Sequence, residues 1–545
     1  MPAMFRHRSL TATIVVVVGS GLLGGFFGRS ALATQDAAAE HYRVFTAALA
    51  AIEDGYVGEV DSEQLVYGAV TGMLQTLDPH SSFMDPRTYA QLRERQEGRY
   101  YGLGITITVV DDDITVVAIF EGSPAYKRGL RRGDVIARID GEDAKGWTSD
   151  QAVRKLRGEK GSFVELAIER HGYADLLPVR VERDEINIPT ILGAFMLAER
   201  TGYIKLRDFS ETTDRDLSRA LRQLASEGME RLMLDLRDNP GGPLDQAIRV
   251  SNRFLPKGDL IVYTRGRVAN SDQDYRATQA SEFTDLALVV LVNRNSASAS
   301  EIVSGAIQDH DRGLIVGETT FGKALVQSVY RISQGAGLAL TTARYYTPSG
   351  RLIQRPWDGT FDEYLTYTLR DQDDSRDHDQ TELRYTDAGR QVFGGGGVEP
   401  DRRFVGPIEG FNPTRFGRSL HSRQLFAGYA QRYSAEGDTR VQLEAQDRRV
   451  VARGFTVDDE IVENFRRYLE TERITIDDDA FAADRGFIRA MVRYDIDLAL
   501  FGIEEARRRL AHDDPQTQYA LTVFHEAEQL AERRRSGTQA NATIR

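Results

Sequence analysis

The chain has 545 residues, a net charge of −13, 41% hydrophobic residues and no cysteine. That length allows several domains with sizeable cores, and the acidic balance argues against a general nucleic-acid binder. Without cysteine there are no disulfides, no thiolate catalysis and no cysteine metal sites, which is compatible with an oxidising compartment.

Arg6, His7 and Arg8 precede a mostly apolar segment from Ile14 to Phe27. Ser30-Ala31-Leu32-Ala33 then places small residues where a signal peptidase reads. Residues 1–33 are expected to be a signal peptide, or an anchor, since Gly24, Gly25 and Gly28 blur the boundary. The body is expected outside the cytoplasm, either periplasmic or anchored in the inner membrane facing the periplasm. Residues 37–98 form the next region, with Val44, Phe45, Leu49 and Ile52 on one helical face. Leu65, Val66, Val70, Met73 and Leu74 repeat the pattern.

Residues 99–185 carry short strands separated by turns. Ile105 to Val109 alternates, Asp111 to Asp113 turns, and Ile114 to Ile119 is a second strand. Gly122-Ser123-Pro124-Ala125 leads into a short helix ending at Gly129, and Gly133 to Gly141 holds a strand bounded by turns.

Residues 186–401 alternate strands with helices. The predicted strands are Thr201 to Leu206, Arg231 to Leu236, Leu286 to Val292 and Leu314 to Gly317. Leu217, Leu221 and Leu224 line one face of a helix from Asp214 to Ala225. This order predicts an α/β fold, a mostly parallel sheet with helices on its faces and catalytic loops at strand ends. Asp371 to Asp379 is acidic and reads as a solvated loop. In residues 402–545, Ile461, Phe465, Tyr468 and Leu469 have helical spacing, as do Phe487, Met491, Tyr494, Leu498 and Phe501. Charged helices follow at Glu504 to Leu510 and Gln518 to Glu532. This extension reads as a small helical domain that caps the core, mediates assembly or holds a partner. Ser536 to Arg545 reads as a disordered tail.

The run from Asn295 to Ile302, followed by Phe321-Gly322-Lys323-Ala324-Leu325-Val326-Gln327, offers a serine nucleophile and a lysine base. Small residues around Ser298 suit a tight strand-to-helix turn, which places Ser298 near a helix N-terminus that favours developing negative charge. On a strand, Lys323, Leu325 and Gln327 share one face. A serine hydroxyl needs a base to take its proton. An unperturbed lysine, with a pKa of about 10.4, cannot serve, whereas a buried one can. On local pattern alone, a small-residue turn with a solvated strand lysine fits about as well. His310 lies too far along the helix to pair with Ser298. No zinc-binding or phosphate-loop pattern is present, so neither metal nor cofactor is implied.

Several motifs agree with one another. Leu77-Asp78-Pro79-His80-Ser81-Ser82-Phe83-Met84-Asp85-Pro86, Tyr101-Gly102-Leu103-Gly104-Ile105, Asp235-Leu236-Arg237-Asp238-Asn239-Pro240-Gly241-Gly242 and Gly394 to Asp401 occur in order around the Ser-Lys stretch. Over roughly residues 40–405 the chain resembles the carboxyl-terminal processing proteases, tail-specific Ser-Lys endopeptidases with a PDZ domain. The resemblance implies a crotonase-like protease core over 186–401, an inserted PDZ domain over 99–185, N-terminal helices over 37–98 and a C-terminal extension over 402–545. It implies Ser298 as nucleophile, Lys323 as general base and Gln327 as the residue that orients the lysine. The amides of Ala299 and of Gly241 or Gly242 match the oxyanion hole. Glu301 and Asp309 match acidic positions read as supporting structure. Leu103, Gly104 and Ile105 match the loop that captures a peptide carboxylate. The implied partners are proteins or peptides with exposed C-terminal tails. An adaptor or activator and homo-oligomerisation are further expectations. A second function stays open, a non-catalytic peptide-binding or chaperone-like protein on the same fold.

Overall fold

The computed structural model describes residues 39–170, 172–357, 364, 379–404, 413–436 and 454–543. The signal or anchor segment, residues 1–33, and all but the last residue of the acidic stretch 371–379 lie outside the described residues. The chain divides into two units. One holds the residues up to Asp85 with Arg331–Ala339, and the other holds Pro86–Tyr330 with Leu340–Arg545.

In the first unit a helix over 39–55 precedes the helix Ser62–Gln75. Asp61 caps the second helix, accepting the N–H of Glu63 and Gln64. The Asp78 carboxylate accepts the amides of His80 and Ser81, both at 2.8 Å, and the Ser81 hydroxyl at 2.7 Å. This turn feeds the strand Ser82–Met84, antiparallel to Gly337–Ala339. The Leu77–Pro86 motif thus has a structural role in shaping a turn. The N-terminal region ends earlier than the expected residue 98, because the helix Pro86–Glu97 belongs to the second unit.

The second unit contains a PDZ-like sheet whose strands run in the order Ile105–Val110, Asp113–Ile119, Val135–Ile139, Phe163–Glu169, Leu177–Glu182. Ile114, Val116, Ile136, Val164 and Ile168 alternate into its core. Ile105–Val110 is the edge strand of this path, beside the helix Ser149–Leu156.

The core sheet has six strands in the order Ile191–Ala198, Thr201–Leu206, Arg231–Asp235, Ala287–Val292, Leu314–Gly317, Arg402–Arg403. The first pair is antiparallel and the remaining pairs are parallel. Strand periodicity sorts the apolar run Ala287–Val292 between two cores. Leu288, Val290 and Val292 meet one face, covered by Leu217, Leu221, Ala247, Val250, Val303 and Ile307 of three helices. Ala287, Val289 and Leu291 meet the other, covered by Ala520, Val523, Phe524 and Ala527. A strand that is apolar on both faces needs cover on both, and the C-terminal extension supplies the second cover.

The extension is therefore not one separate domain. Its helices from Arg415 to Phe501 enclose their own core around Phe426, Phe465 and Ile488, whereas the helices from Ile503 onward pack on the protease sheet. The last helix, Phe524–Thr543, runs through most of the stretch expected to be disordered.

Candidate active site

Ser298 is the N-cap of the helix Ala299–Asp309 and has φ 54° and ψ −111°. That conformation costs a non-glycine residue roughly 1–3 kcal/mol, so its surroundings must hold it. Glu301, on the first turn of the helix, does so. Its Oε2 accepts the Ser298 amide at 2.8 Å and the Lys323 amide at 2.9 Å. Its Oε1 accepts the Thr320 hydroxyl at 2.5 Å and the Gly322 amide at 2.6 Å. Glu301 is fully buried. Burial pushes its carboxyl up to about 7, against the four hydrogen bonds that favour the carboxylate.

Lys323 lies just before the strand Leu325–Arg331 rather than within it. Its Nζ still donates to Gln327 Oε1 at 3.2 Å, so the two side chains meet although only Gln327 is on the strand. Both are half-buried, while Leu325 is buried. The Tyr345 hydroxyl lies within hydrogen-bond distance of two carbonyls, 2.6 Å from that of Lys323 and 3.1 Å from that of Ser298. Tyr345 is almost wholly buried. Ser298 and Lys323 are thus tied together through their amides by Glu301 and through their carbonyls by Tyr345. Nothing in the sequence marked Tyr345 or Thr320. Each is an ordinary residue whose role exists only across elements distant in the chain.

Gly241 has φ 92°. A Cβ added there would stand 2.7 Å from both Ala297 O and Ala299 N and 2.8 Å from Ser298 Cβ. The glycine pair therefore lies alongside the elbow at a distance only glycine permits. At Gly242 a Cβ would stand 2.2 Å from the Phe209 carbonyl oxygen. The two glycines differ chemically. The Gly241 amide donates to Asn239 Oδ1 at 2.9 Å. Among the described residues the amides of Gly242 and Ala299 donate to no acceptor. An arrangement with two free amides beside a strained serine can receive an oxyanion.

One expected residue lies elsewhere. Asp309, at the far end of the active-site helix, pairs with buried Arg351 and accepts the Ser349 amide at 2.9 Å. It anchors a turn remote from Ser298, since the helix rises about 1.5 Å per residue. His310 pairs with Asp387 at 2.7 Å and with the Leu260 carbonyl at 2.6 Å. In the loop before the edge strand of the PDZ-like sheet Leu103 is buried, and its carbonyl accepts the Ala125 amide at 3.0 Å. Gly104 has φ 79°, and its carbonyl accepts the Phe120 amide at 2.9 Å and the Ser123 hydroxyl at 3.3 Å. Ile105 opens the edge strand.

The family model described as Peptidase family S41 matches residues 200–360. The model described as PDZ domain matches residues 91–169, and that described as Activating protease CtpB N-terminal domain matches residues 29–88. The carboxy-terminal-processing protease of Bartonella bacilliformis is 41% identical over 303 residues, covering 55% of this chain and 69% of that one. Carboxy-terminal processing protease CtpA of Bacillus subtilis is 33% identical over 346 residues, covering 63% and 73%. The carboxyl-terminal-processing protease of Picosynechococcus is 38% identical over 287 residues, covering 52% and 69%. With this similarity joined to an α/β core that holds a strained, amide-flanked serine, the chain belongs to the carboxy-terminal processing proteases of peptidase family S41 and is a serine-type peptidase.

Proposed function

We propose that the chain is an extracytoplasmic endopeptidase that cleaves protein substrates near their C-terminal tails by a Ser-Lys acyl-enzyme mechanism. The observation that carries this reading is the shared acceptor, Glu301 Oε2, which holds the backbones of Ser298 and Lys323 together. Ser298 Oγ attacks the scissile carbonyl as its proton passes to the neutral amine of Lys323. Gln327 holds that amine without adding charge. The Gly242 and Ala299 amides receive the oxyanion, a contribution of roughly 3–4 kcal/mol per donor. The C–N bond then breaks as Lys323 returns the proton to the leaving amine, and water hydrolyses the acyl-enzyme.

Substrate tails add to the edge strand Ile105–Val110, with the loop at Leu103, Gly104 and Ile105 taking the terminal carboxylate. The apolar N-terminal segment supports export, with the body periplasmic or anchored to face that space. Tyr42, Val44 and Ile52, exposed on the first helix, support homo-oligomerisation or an adaptor as the occupant of that face.

The test is incubation of residues 34–545 with casein beside Ser298→Ala and Lys323→Ala. Cleavage by wild type alone is expected. Retained cleavage by purified Ser298→Ala would sink the assignment. Cell fractionation of the full chain decides location, and recovery in the cytoplasm would end the export reading.

A further inference from the structure

The loop from Asp235 to Gly242 is held from two directions. On the serine side, the Asp238 amide donates to Asn293 Oδ1 at 2.9 Å, and Asp238 Oδ1 accepts Asn295 Nδ2 at 2.9 Å. The Asn239 carbonyl accepts the Ala297 amide at 3.0 Å and the Ser300 hydroxyl at 3.0 Å. On the opposite side Arg237 reaches the C-terminal extension. Its Nη1 donates to Asp514 Oδ2 at 2.6 Å and to Gln516 Oε1 at 2.8 Å, and its Nη2 donates to Thr517 Oγ1 at 3.1 Å. Nε and Nη2 also donate to Asp235, at 3.0 and 2.6 Å. Asp235 in turn accepts the Tyr203 hydroxyl at 2.6 Å and Lys205 Nζ at 3.0 Å. The Arg237 side chain is 14% exposed and Thr517 is fully buried.

A guanidinium presents its donors in a fixed planar fork, so acceptors on several sides fix its orientation as well as its charge. Three of these acceptors come from a segment far beyond residues 200–360, the part matched by the peptidase model. Asp514 is also the N-cap of the helix Pro515–Thr522, accepting the Gln516 amide at 3.1 Å. Only Asp238, Asn239 and Pro240 separate Arg237 from Gly241.

We propose that Asp514, Gln516 and Thr517 are positioning residues for the oxyanion loop, acting through Arg237, so that the C-terminal extension is part of the catalytic apparatus. The proposal rests on the Ser-Lys reading of the site given above. Displacements of a fraction of an ångström in a positioning loop lower the chemical step without altering substrate binding. Deleting the extension would not test this, because Val523 and Phe524 also cover the core sheet. Asp514→Asn is the suitable change. Asparagine caps a helix as well as aspartate does, yet it withdraws the charge opposite Arg237. Thr517→Val removes the hydroxyl acceptor at nearly constant volume, and Thr517→Ser retains it.

The full chain and these variants are compared with Ser298→Ala for kcat and KM on a casein peptide and for the rate of labelling by a fluorophosphonate at Ser298. Asp514→Asn and Thr517→Val should each lower kcat and the labelling rate by about tenfold. KM should be unchanged, Tm should fall by only a few degrees because Asp235 still pairs with Arg237, and Thr517→Ser should behave as wild type. Unchanged labelling in Asp514→Asn and Thr517→Val, with Ser298 labelled in wild type, overturns the proposal alone. So does a loss of rate that vanishes when the assay is run well below the Tm of the variant. Absence of labelling at Ser298 in wild type, or labelling that persists in Ser298→Ala, removes the Ser-Lys assignment and the proposal with it.

Discussion

Ser298 and Lys323 donate their backbone N–H groups to the same carboxylate oxygen, Glu301 Oε2, at 2.8 and 2.9 Å. A turn before a helix and a segment before a strand are thereby fixed to one atom. Glu301→Gln keeps one acceptor oxygen, so its NH2 must face either the Ser298 and Lys323 amides or the Gly322 amide and the Thr320 hydroxyl. Leaving buried donors unpaired costs about 1–3 kcal/mol. The expected outcome is a kcat lower by about a hundredfold with KM nearly unchanged, in steady-state kinetics on a peptide substrate. Wild-type kcat in this variant would show that the clamp has no part in the chemistry.

Glu301 also sets a pH dependence of stability. Burial raises its carboxyl from 4.5 in the unfolded chain to about 7 in the folded one, so folding takes up a proton between those values. The favourable contribution is full below about 4.5 and is lost as pH rises through about 7. Urea unfolding of wild type relative to Glu301→Gln should lose about 3 kcal/mol between pH 4.5 and about pH 8. A difference that stays flat across this range contradicts the role assigned to burial.

Tyr345→Phe removes the hydroxyl that bridges the carbonyls of Ser298 and Lys323. Both buried acceptors then lack this donor, at a cost of about 1–3 kcal/mol in unfolding free energy. Activity should fall with it because the nucleophile and base lose one of their two ties. Full activity together with full stability would place the bridge outside the working geometry.

Gly241→Ala adds a methyl 2.7 Å from Ala299 N and 2.8 Å from Ser298 Cβ, at a φ of 92°. The loop has to retreat from the elbow. The variant should be folded by circular dichroism and inactive toward casein, with fluorophosphonate labelling at Ser298 suppressed about a hundredfold. Labelling at the wild-type rate would show that the Gly241-Gly242 pair does not serve the oxyanion.

Arg132, in the turn before the strand Val135–Ile139 of the PDZ-like sheet, pairs with Asp495, a carboxylate 4% exposed on a helix of the extension. Burial raises the Asp495 carboxyl and Arg132 opposes that rise. Arg132→Ala strands the carboxylate and should destabilise the protein by about 3 kcal/mol in urea, with Asp495→Asn in the same chain recovering part of the loss. Equal midpoints for wild type and Arg132→Ala would mean that solvent already stabilises Asp495.

Much of the core was legible. The strands Thr201–Leu206 and Leu314–Gly317 have the expected bounds; the second is apolar throughout because a strand buried on both faces leaves a hydrophobic run, whereas Gly202 and Lys205 interrupt the first. Ser298 at a helix start follows from the small residues around it. Lys323 and Gln327 do meet, although Lys323 lies outside the strand whose alternation predicts the meeting. The extension was the least legible part. Its helical periodicity shows that one face is buried but not what buries it, and the answer differs between its two halves.

By itself, the sequence determined the α/β class, the order of the domains and the residue types able to supply a nucleophile and a base, because periodicity and turn chemistry are local properties. Tertiary structure alone decided that the Gly241 amide is engaged by Asn239 while that of Gly242 has no acceptor among the described residues. It alone decided that Tyr345 and Glu301 bind Ser298 to Lys323, and that Asp514 and Thr517 reach Arg237. The ties from Tyr345 to Ser298 and Lys323, from Glu301 to Lys323, and from Asp514 and Thr517 to Arg237 are hydrogen bonds between segments distant in the chain, and no local pattern encodes which distant partner a polar group will meet.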